Sequence, residues 1–425
     1  VSDNLQASFP FLTRSPERPN SRLRRELREF SQFGRETLET RLPTADFPQI
    51  PVFVNEYWTS KQRASHSLHE ISYRACFKPE LVRFFVERLT KRDNTVYDPF
   101  MGRGTTLLES ALLGRTPFGN DVNPVSAAFI EARLNPPSLA QVKERLEEID
   151  LAAKSNEAHS DDLLIFYHQD TLREILSLRS YLSARKTAGQ FDAVDSWIQM
   201  VALNRLTGHS PGFFSVYTMP PNQAVSADSQ RKINERLNQL PEYRDIKAII
   251  LKKSRSLLKD LSPAQRKALR AAAAKLQLSQ ASADSSPFAA GLVDLVVTSP
   301  PFLDTVDYIG DNWLRLWFLD AEVSRESLWQ LGSIPAWESA MTRTLVDLRR
   351  LLKPGGYVAF EVGEVRNGKL PLEINVINAG HAAGLTPEFV LINSQKFTKT
   401  SNCWGVKNEI KGTNTNRVVV FTKER

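Results

Sequence analysis

Apolar positions along the chain switch repeatedly between helical spacing and short strand-like runs. PELVRFFVERL (79–89) spaces its apolar residues three and four apart and predicts a helix. The run at 95–97 predicts a strand leading into Asp98. TTLLESALL (105–113) predicts a helix ending at Gly114, a residue suited to a helix C-terminus. Further strands are expected at 117–120 and 163–168. The rhythm then lapses and resumes near residue 294. DLVVTS reads as a short apolar strand, 337–352 as a long amphipathic helix stopped by Lys353-Pro354-Gly355-Gly356, and 357–362 as another strand. Two closing strands, at 389–391 and 418–422, can pair antiparallel. Strands alternating with helices predict an α/β fold with a mainly parallel sheet covered on both faces.

Two stretches depart from this rhythm. Residues 171–290 are polar and helix-rich, with Lys252, Lys253, Arg255, Lys259, Arg266, Lys267, Arg270 and Lys275 in the second half. They predict a helical insertion between two halves of the sheet, ended by the linker-like ASADSSP. Residues 1–50 carry Arg14, Arg18, Arg22, Arg24, Arg25, Arg28 and Arg35, and read as a basic N-terminal arm. Leu23, Leu27 and Phe30 predict a short amphipathic helix there. Glu26, Glu29 and Glu36 interleave with the arginines, so a helix packed on the main body competes with an arm on a phosphate backbone. The expected division is 1–50, 51–170, 171–290 and 291–425.

Composition narrows the class. With 41% hydrophobic and 24% charged residues, the 425-residue chain is an ordinary globular one, not a collagen, coiled coil or disordered polymer. It has no apolar run long enough to span a bilayer. The first residues lack the basic-then-apolar order of a signal peptide, so a cytoplasmic location is expected. Two cysteines, Cys76 and Cys403, exclude a disulfide scaffold and a cysteine-rich zinc site; no metal is expected. A net charge of +7 agrees with a polyanionic partner without requiring one.

The candidate chemistry lies in two short runs. Asp98-Pro99-Phe100-Met101-Gly102-Arg103-Gly104-Thr105-Thr106 leaves a strand and enters a helix. Gly102 and Gly104 permit a tight turn and close backbone approach, and the helix start offers unpaired N–H groups to a ligand. Asp98 closes the strand, placed to accept from a ligand amine. Asp121 ends the next strand, where an acid is the usual partner of ribose hydroxyls. The second run, Thr298-Ser299-Pro300-Pro301-Phe302, follows an apolar strand. Its prolines hold the backbone extended, so that the Ser299 hydroxyl and a neighbouring carbonyl converge as acceptors beside the flat face of Phe302. That arrangement suits an exocyclic amine on a planar base; an ordinary Pro-Pro turn with a packed Phe is the plainer alternative.

DPFMGRGTT followed by TSPPF resembles the amino-group DNA methyltransferases, which use S-adenosylmethionine. HSLHEISYRACFKPEL, LLKPGG and GTNTNRVVVFTK add to the resemblance. It implies a Rossmann-like class I methyltransferase sheet with a helical insertion. It also implies that Phe77 and Pro79 cover the methionine end of the cofactor, and that Asp98, Pro99 and Phe100 lie near that end. Gly102, Gly104, Thr105 and Thr106 would form the cofactor loop, Asp121 would hold the ribose, and Asp170, ending the expected strand in FYHQD, would accept from the adenine amine. Each acid has a capping alternative, Asp121 before the helix at Pro124 and Asp170 before the helix at 171–179; for Asp121 the functional reading is preferred, and for Asp170 the two stand level. Ser299, Pro300, Pro301 and Phe302 match the catalytic tetrapeptide, whose Ser form resembles the N4-cytosine branch. Arg103 stands where a small residue is common. The cofactor run precedes the catalytic one with the insertion between, a permuted order relative to many Ser-type enzymes.

The implied reaction is methylation of cytosine N4 in a specific double-stranded DNA sequence, in restriction-modification or phage defence, with a cognate restriction enzyme as companion. Ser299 Oγ and the Pro300 carbonyl would hold both amine hydrogens and leave the nitrogen lone pair free, given proximity. The target base would be flipped out of the duplex and stacked on Phe302, with Asp304, Asp307 and Tyr308 lining the pocket. DNA contacts are expected from the insertion, the N-terminal arm and the tail loop at 396–411. SPGFFSVYTMPPNQAVS (210–226) is expected to face the target or the cleft, against the alternative of a loop packed on the sheet. Trp313 and Trp317 read as core. Competing functions are N6-adenine methylation, methylation of RNA or of a protein amide, and a catalytically idle nucleic-acid-binding subunit. A dinucleotide oxidoreductase is disfavoured, because 102–107 is GRGTTL rather than a G-x-G-x-x-G/A motif.

Overall fold

In the first half of the sheet, β-branched and apolar residues form β4 (Thr95–Asp98) and β5 (Thr116–Asn120), which run parallel. In the second half, β7 (Val293–Thr298) lies between β4 and β8 (Leu352–Gly363), parallel to both. The structure is a computed structural model. It describes residues 13–14, 22–42, 46–47, 49–58, 66–74, 76–152, 161–218, 224–301, 307–323, 329, 331–363, 372–394 and 415–424. The remaining strands are β1 (Thr13–Arg14), β2 (Leu38–Arg41), β3 (Pro51–Asn55), β6 (Gln277–Ser279), β9 (Thr386–Ser394) and β10 (Thr415–Thr422). Their spatial order is β1-β2-β3-β9-β10-β8-β7-β4-β5-β6. β10 is antiparallel to both β8 and β9, as the pattern of the closing strands predicts.

Both faces of the central strands are buried, which is why β7 reads as a nearly continuous apolar run. Leu295 and Val297 point to a core shared with α2 (Pro79–Leu89), Trp58 and the N-terminal helix α1 (Arg22–Arg28). Val296 points to the opposite core, with α12 (Ile334–Leu351) and α13 (Leu372–Ala382). Between β5 and β6 the chain builds α4 (Pro124–Leu134), α5 (Leu139–Glu148), α6 (Gln169–Thr187), α7 (Ala193–Arg205), α8 (Ala227–Leu237), α9 (Ile246–Leu258) and α10 (Pro263–Ala273). These helices share a third core with α3 (Thr105–Leu112) and α11 (Tyr308–Leu319). Among the described residues no helix is long and apolar enough to cross a membrane.

Three expectations change. The described residues from Arg22 to Asn55 pack on the main body, and β2 and β3 extend the sheet, with β3 parallel to β9. Arg24 pairs with Glu388 at 2.6 Å and Arg28 with Glu39 at 2.6 Å, the packed-helix reading. Residues 163–168 are not a strand. Asp161–Ile165 is a 3-10 turn and α6 begins at Gln169, so an apolar run this short folded helically. The strand beside β5 is β6, 110 residues later in the chain than the 163–168 run, counting from His168 to residue 278. Finally, α12 ends at Leu351, and Lys353-Pro354-Gly355-Gly356 lies within β8.

Candidate functional site

Strand order reverses between β4 and β7: β5 and β6 extend one way, β8 and its neighbours the other. A crevice outside the carboxyl ends of strands at such a switch point is where open α/β sheets bind ligands. Asp98 ends β4 and Thr298 ends β7. The Thr298 hydroxyl donates to Asp98 Oδ1 at 2.7 Å. The two sequence runs therefore meet at one point of one sheet edge, and Ser299 follows directly.

Asp98 is 1% exposed. Its Oδ1 also accepts from the Phe100 amide at 3.1 Å, while Oδ2 is buried with no partner. Burial pushes its carboxyl up to about 7, against the pull of the Thr298 and Phe100 hydrogen bonds. A buried carboxylate oxygen whose lone pairs have no donor, at the mouth of a glycine loop, fits a ligand ammonium.

The loop after β4 is pinned from below. Gly102 (φ +48°) donates its amide to Asp121 Oδ2 at 2.8 Å, and Asn123 donates to Oδ1 at 2.9 Å. Asp121 thus shapes the cofactor loop and keeps one further lone pair on each oxygen. Gly104 (φ +75°) leads into α3, and a Cβ there would lie 3.0 Å from Ile130 Cδ1, so the tight turn needs glycine. Thr105 and Thr106 open α3, where backbone N–H groups are free for an anion. Thr106 donates its hydroxyl to the Val297 carbonyl at 3.0 Å, tying the helix to β7.

A lid segment crosses this loop. The Tyr73 ring lies 3.4 Å from where a Gly102 side chain would begin. Arg103 Nη1 donates to the carbonyls of His69 and Ile71, both at 3.2 Å, and its Nε donates to Thr105 Oγ1 at 3.1 Å. The departure from the common small residue is therefore a clasp between loop and lid. Phe77 packs beside the α2 core, and Pro79 starts α2. The Phe100 ring meets Trp329 edge-on at 5.9 Å.

On the catalytic run, Ser299 is half-buried and Pro300 buried. The Trp337 indole of α12 donates to the Pro301 carbonyl at 3.1 Å and holds the turn against the sheet. Glu361, the residue on β8 beside this turn, was not singled out from sequence. It is 5% exposed, lies near enough to Ser299 for the hydroxyl to stabilise its charge, and accepts from Asn416 Nδ2 at 3.1 Å. Burial pushes its carboxyl up, and these two partners pull it back. Its signal was a lone carboxylate inside the apolar strand YVAFEVG, a position where an acid without a task is rare.

Other candidates fall elsewhere. Phe302 and Asp304 lie outside the described residues, as do the side chain of Tyr308, Cys403 and the tail loop at 396–411. Asp307 is exposed and caps α11 through the Gly310 amide at 3.0 Å. Asp170 is on the first turn of α6, half-buried and paired with Arg173 at 2.9 Å, not at a strand end. The strand-end position next to Asp121 belongs instead to the turn after β6. There Ala281 donates its amide to Asn120 Oδ1 at 3.1 Å, and Gln280 Nε2 donates to the Val122 carbonyl at 3.3 Å. The described part of 210–226 is packed: Phe213 and Phe214 are buried, and Phe214 donates its amide to the Arg205 carbonyl at 2.8 Å. It also braces α11, the helix after the catalytic turn, through Ala224 N to the Asp311 carbonyl (2.9 Å) and Trp313 Nε1 to the Val225 carbonyl (3.0 Å).

Several known proteins are similar to parts of this chain. Residues 44–131, which include the lid, the cofactor loop and Asp121, match the N6/N4 methyltransferase family model, described as DNA methylase. The type II methyltransferase M.MjaII of Methanocaldococcus jannaschii is 32% identical over 100 residues, 23% of this chain and 18% of that protein. M.BsoBI of Geobacillus stearothermophilus, also a type II methyltransferase, is 25% identical over 294 residues, 63% of this chain and 55% of that one. The matched stretches thus span less than two thirds of either relative. A putative DNA modification methylase of Thermus thermophilus, complexed with S-adenosyl-L-methionine, matches 34% of this chain and 54% of its own at 22% identity, with a TM-score of 0.21. Over residues 44–131 the chain is thus similar to the amino-group (N6/N4) DNA methylases, and its relatives include type II methyltransferases.

Proposed function

We propose that this protein methylates the exocyclic N4 of cytosine in double-stranded DNA, as a site-specific modification enzyme with a cognate restriction enzyme. The observation that carries the reading is the 2.7 Å contact between Thr298 and Asp98, because it sets a cofactor loop and an acceptor-bearing Ser-Pro-Pro turn on one crevice. The type II methyltransferase relatives support DNA as the substrate.

The residues present fit S-adenosylmethionine. Asp98 Oδ2 would take its ammonium, the turn at Gly102–Gly104 would let the backbone approach, and Asp121 with the turn after β6 would hold the nucleoside end. When bound, the cofactor supplies a methyl group already activated on a sulfonium. The protein's own task is then to hold an amine. Ser299 Oγ and the Pro300 carbonyl accept the two amine hydrogens, which favours a pyramidal nitrogen with its lone pair free. Glu361 accepts the Ser299 hydroxyl hydrogen, so that both Oγ lone pairs face the base. That contact also gives the departing proton a carboxylate beyond the hydroxyl, which alone is a poor base at neutral pH. Trp337 fixes the turn, and the hydrophobic cores on both faces keep the strand ends from shifting.

Methyl transfer from labelled S-adenosylmethionine to unmodified DNA, followed by nucleoside chromatography, tests the reading. The expected product is N4-methylcytosine. Label in N6-methyladenine would replace the cytosine assignment, and label only in RNA or protein would overturn the DNA substrate.

A further inference from the structure

A second cleft adjoins the site on the insertion side. The lid segment, the end of α7 and the middle of α9 enclose a cavity of about 380 Å³. Arg103, Arg205 and Lys253 line it, together with Tyr73, Phe77 and Glu70. Arg205 and Lys253 come from different insertion helices, and neither is needed by the chemistry described above.

Positive charge there exceeds negative, with Lys78, Arg103, Arg205 and Lys253 against Glu70. Among the described residues, Arg103, Arg205 and Lys253 form no ion pair with a carboxylate, and neither do Arg133 and Arg315 just behind them. Their donors go to neutral groups: Lys253 Nζ to the Glu70 carbonyl at 2.5 Å, and Arg205 Nη2 to Asn204 Oδ1 at 2.7 Å. The Arg205 guanidinium also stacks on the Phe213 ring, 3.9 Å from its centroid. The nearest acid, Glu70, spends its carboxylate on Ser256 and Lys259, each at 3.4 Å. Burial, and then the neighbouring Arg205, lower the Lys253 ammonium to about 8; burial and Arg315 lower Arg205 to about 10. A pocket of partly buried cations whose lining acid, Glu70, is engaged by Ser256 and Lys259 favours an anion. The exposed Lys252 and Arg255 continue the positive surface along α9.

We propose that this cleft seats a backbone phosphate of the nucleic-acid substrate, held by Arg205 and Lys253, and so couples the insertion to the catalytic crevice. Arg103 links the two, because its guanidinium lines the cleft while its backbone belongs to the cofactor loop. The proposal rests on the DNA-modifying reading and gives the insertion a positioning task independent of base recognition.

The test is equilibrium binding of a random-sequence duplex pool across a salt series, with S-adenosylmethionine binding measured in parallel. The variants are Lys253→Gln, Lys253→Arg and Arg205→Gln, each checked for an unchanged melting profile. The Lys253→Gln side chain still donates a hydrogen bond, so this variant removes charge first. Lys253→Gln and Arg205→Gln are each expected to weaken duplex binding and reduce the log–log salt slope by about 1, the loss of one phosphate contact. Lys253→Arg should restore the slope, and cofactor affinity should not change. Unchanged duplex affinity and slope would overturn the proposal. Loss of cofactor affinity with duplex binding intact would also overturn it, and would assign the cleft to the cofactor's carboxylate. Because binding is read without catalysis, a wild-type protein that transfers no methyl to DNA yet shows the slope change would uphold the cleft and sink the DNA-methylation reading. Methyl transfer with coincident slopes would sink the cleft alone.

Discussion

Asp98 is held in a state that burial opposes. With its carboxyl raised to about 7, the folded protein binds a proton there that the unfolded chain releases near pH 4. Stability from this residue is therefore fully present below about pH 4 and lost as pH rises toward 7. Cofactor affinity should run the other way, because an ammonium needs the ionised form: it falls as pH drops through about 7. Asp98→Asn should raise apo-protein stability at pH 8 by about 2 kcal/mol in denaturant titration, while cofactor binding is lost. Ser299 and Glu361 should behave as one unit. Ser299→Ala and Glu361→Gln should each cut turnover by roughly 10²-fold or more, and the double variant should lose little beyond the worse single one. Additive losses in single-turnover rates would show two independent roles. Asp98 and Ser299 were legible because short motifs with glycines and prolines have few alternative uses. Glu361 was hidden because its partner is set by strand register between β7 and β8, which no local pattern encodes.

The elements nearest the site were the most readable. α2, β4, α3 and β5 follow hydrophobic periodicity and capping chemistry, and each lies where the pattern predicts. The turn between β4 and α3 depends on Gly104, where the backbone is left-handed and Ile130 leaves no room. Gly104→Ala should cost about 1–3 kcal/mol of stability, read as a lower denaturant midpoint at constant slope, and should weaken cofactor binding as well. The third strand was not readable. LLIFYHQD is too short for periodicity to separate helix from strand, and His168 accepts from the Asp170 amide to start a helix there. β6 has three residues and an exposed first position, so its only marker is its parallel pairing with β5. That displacement takes Asp170 off the sheet edge and puts the turn after β6 beside Asp121.

At the scale of the molecule, the insertion is not an appendage. Its helices share a core with α3, α4 and α11, so they brace the cofactor loop and the helix after the catalytic turn together. The aromatic run at 210–218 belongs to that brace, which composition could not separate from a cleft-facing loop. Phe214→Ala should destabilise the protein by about 3–5 kcal/mol, with activity per folded molecule at low temperature little changed. Normal stability with lost activity would return the segment to the cleft. The N-terminal strands likewise complete the sheet, because salt bridges to Glu39 and Glu388 consume arginines that composition alone offers to DNA. The whole account depends on a division of labour between the ends of β4 and β7. Calorimetric S-adenosylmethionine binding and DNA methyl transfer, measured side by side on Asp98→Asn and Ser299→Ala, test it most directly. Asp98→Asn is expected to lose cofactor binding, and Ser299→Ala to bind cofactor as the wild type does while failing to transfer methyl. Loss of cofactor binding in Ser299→Ala, or undiminished binding in Asp98→Asn, would contradict it.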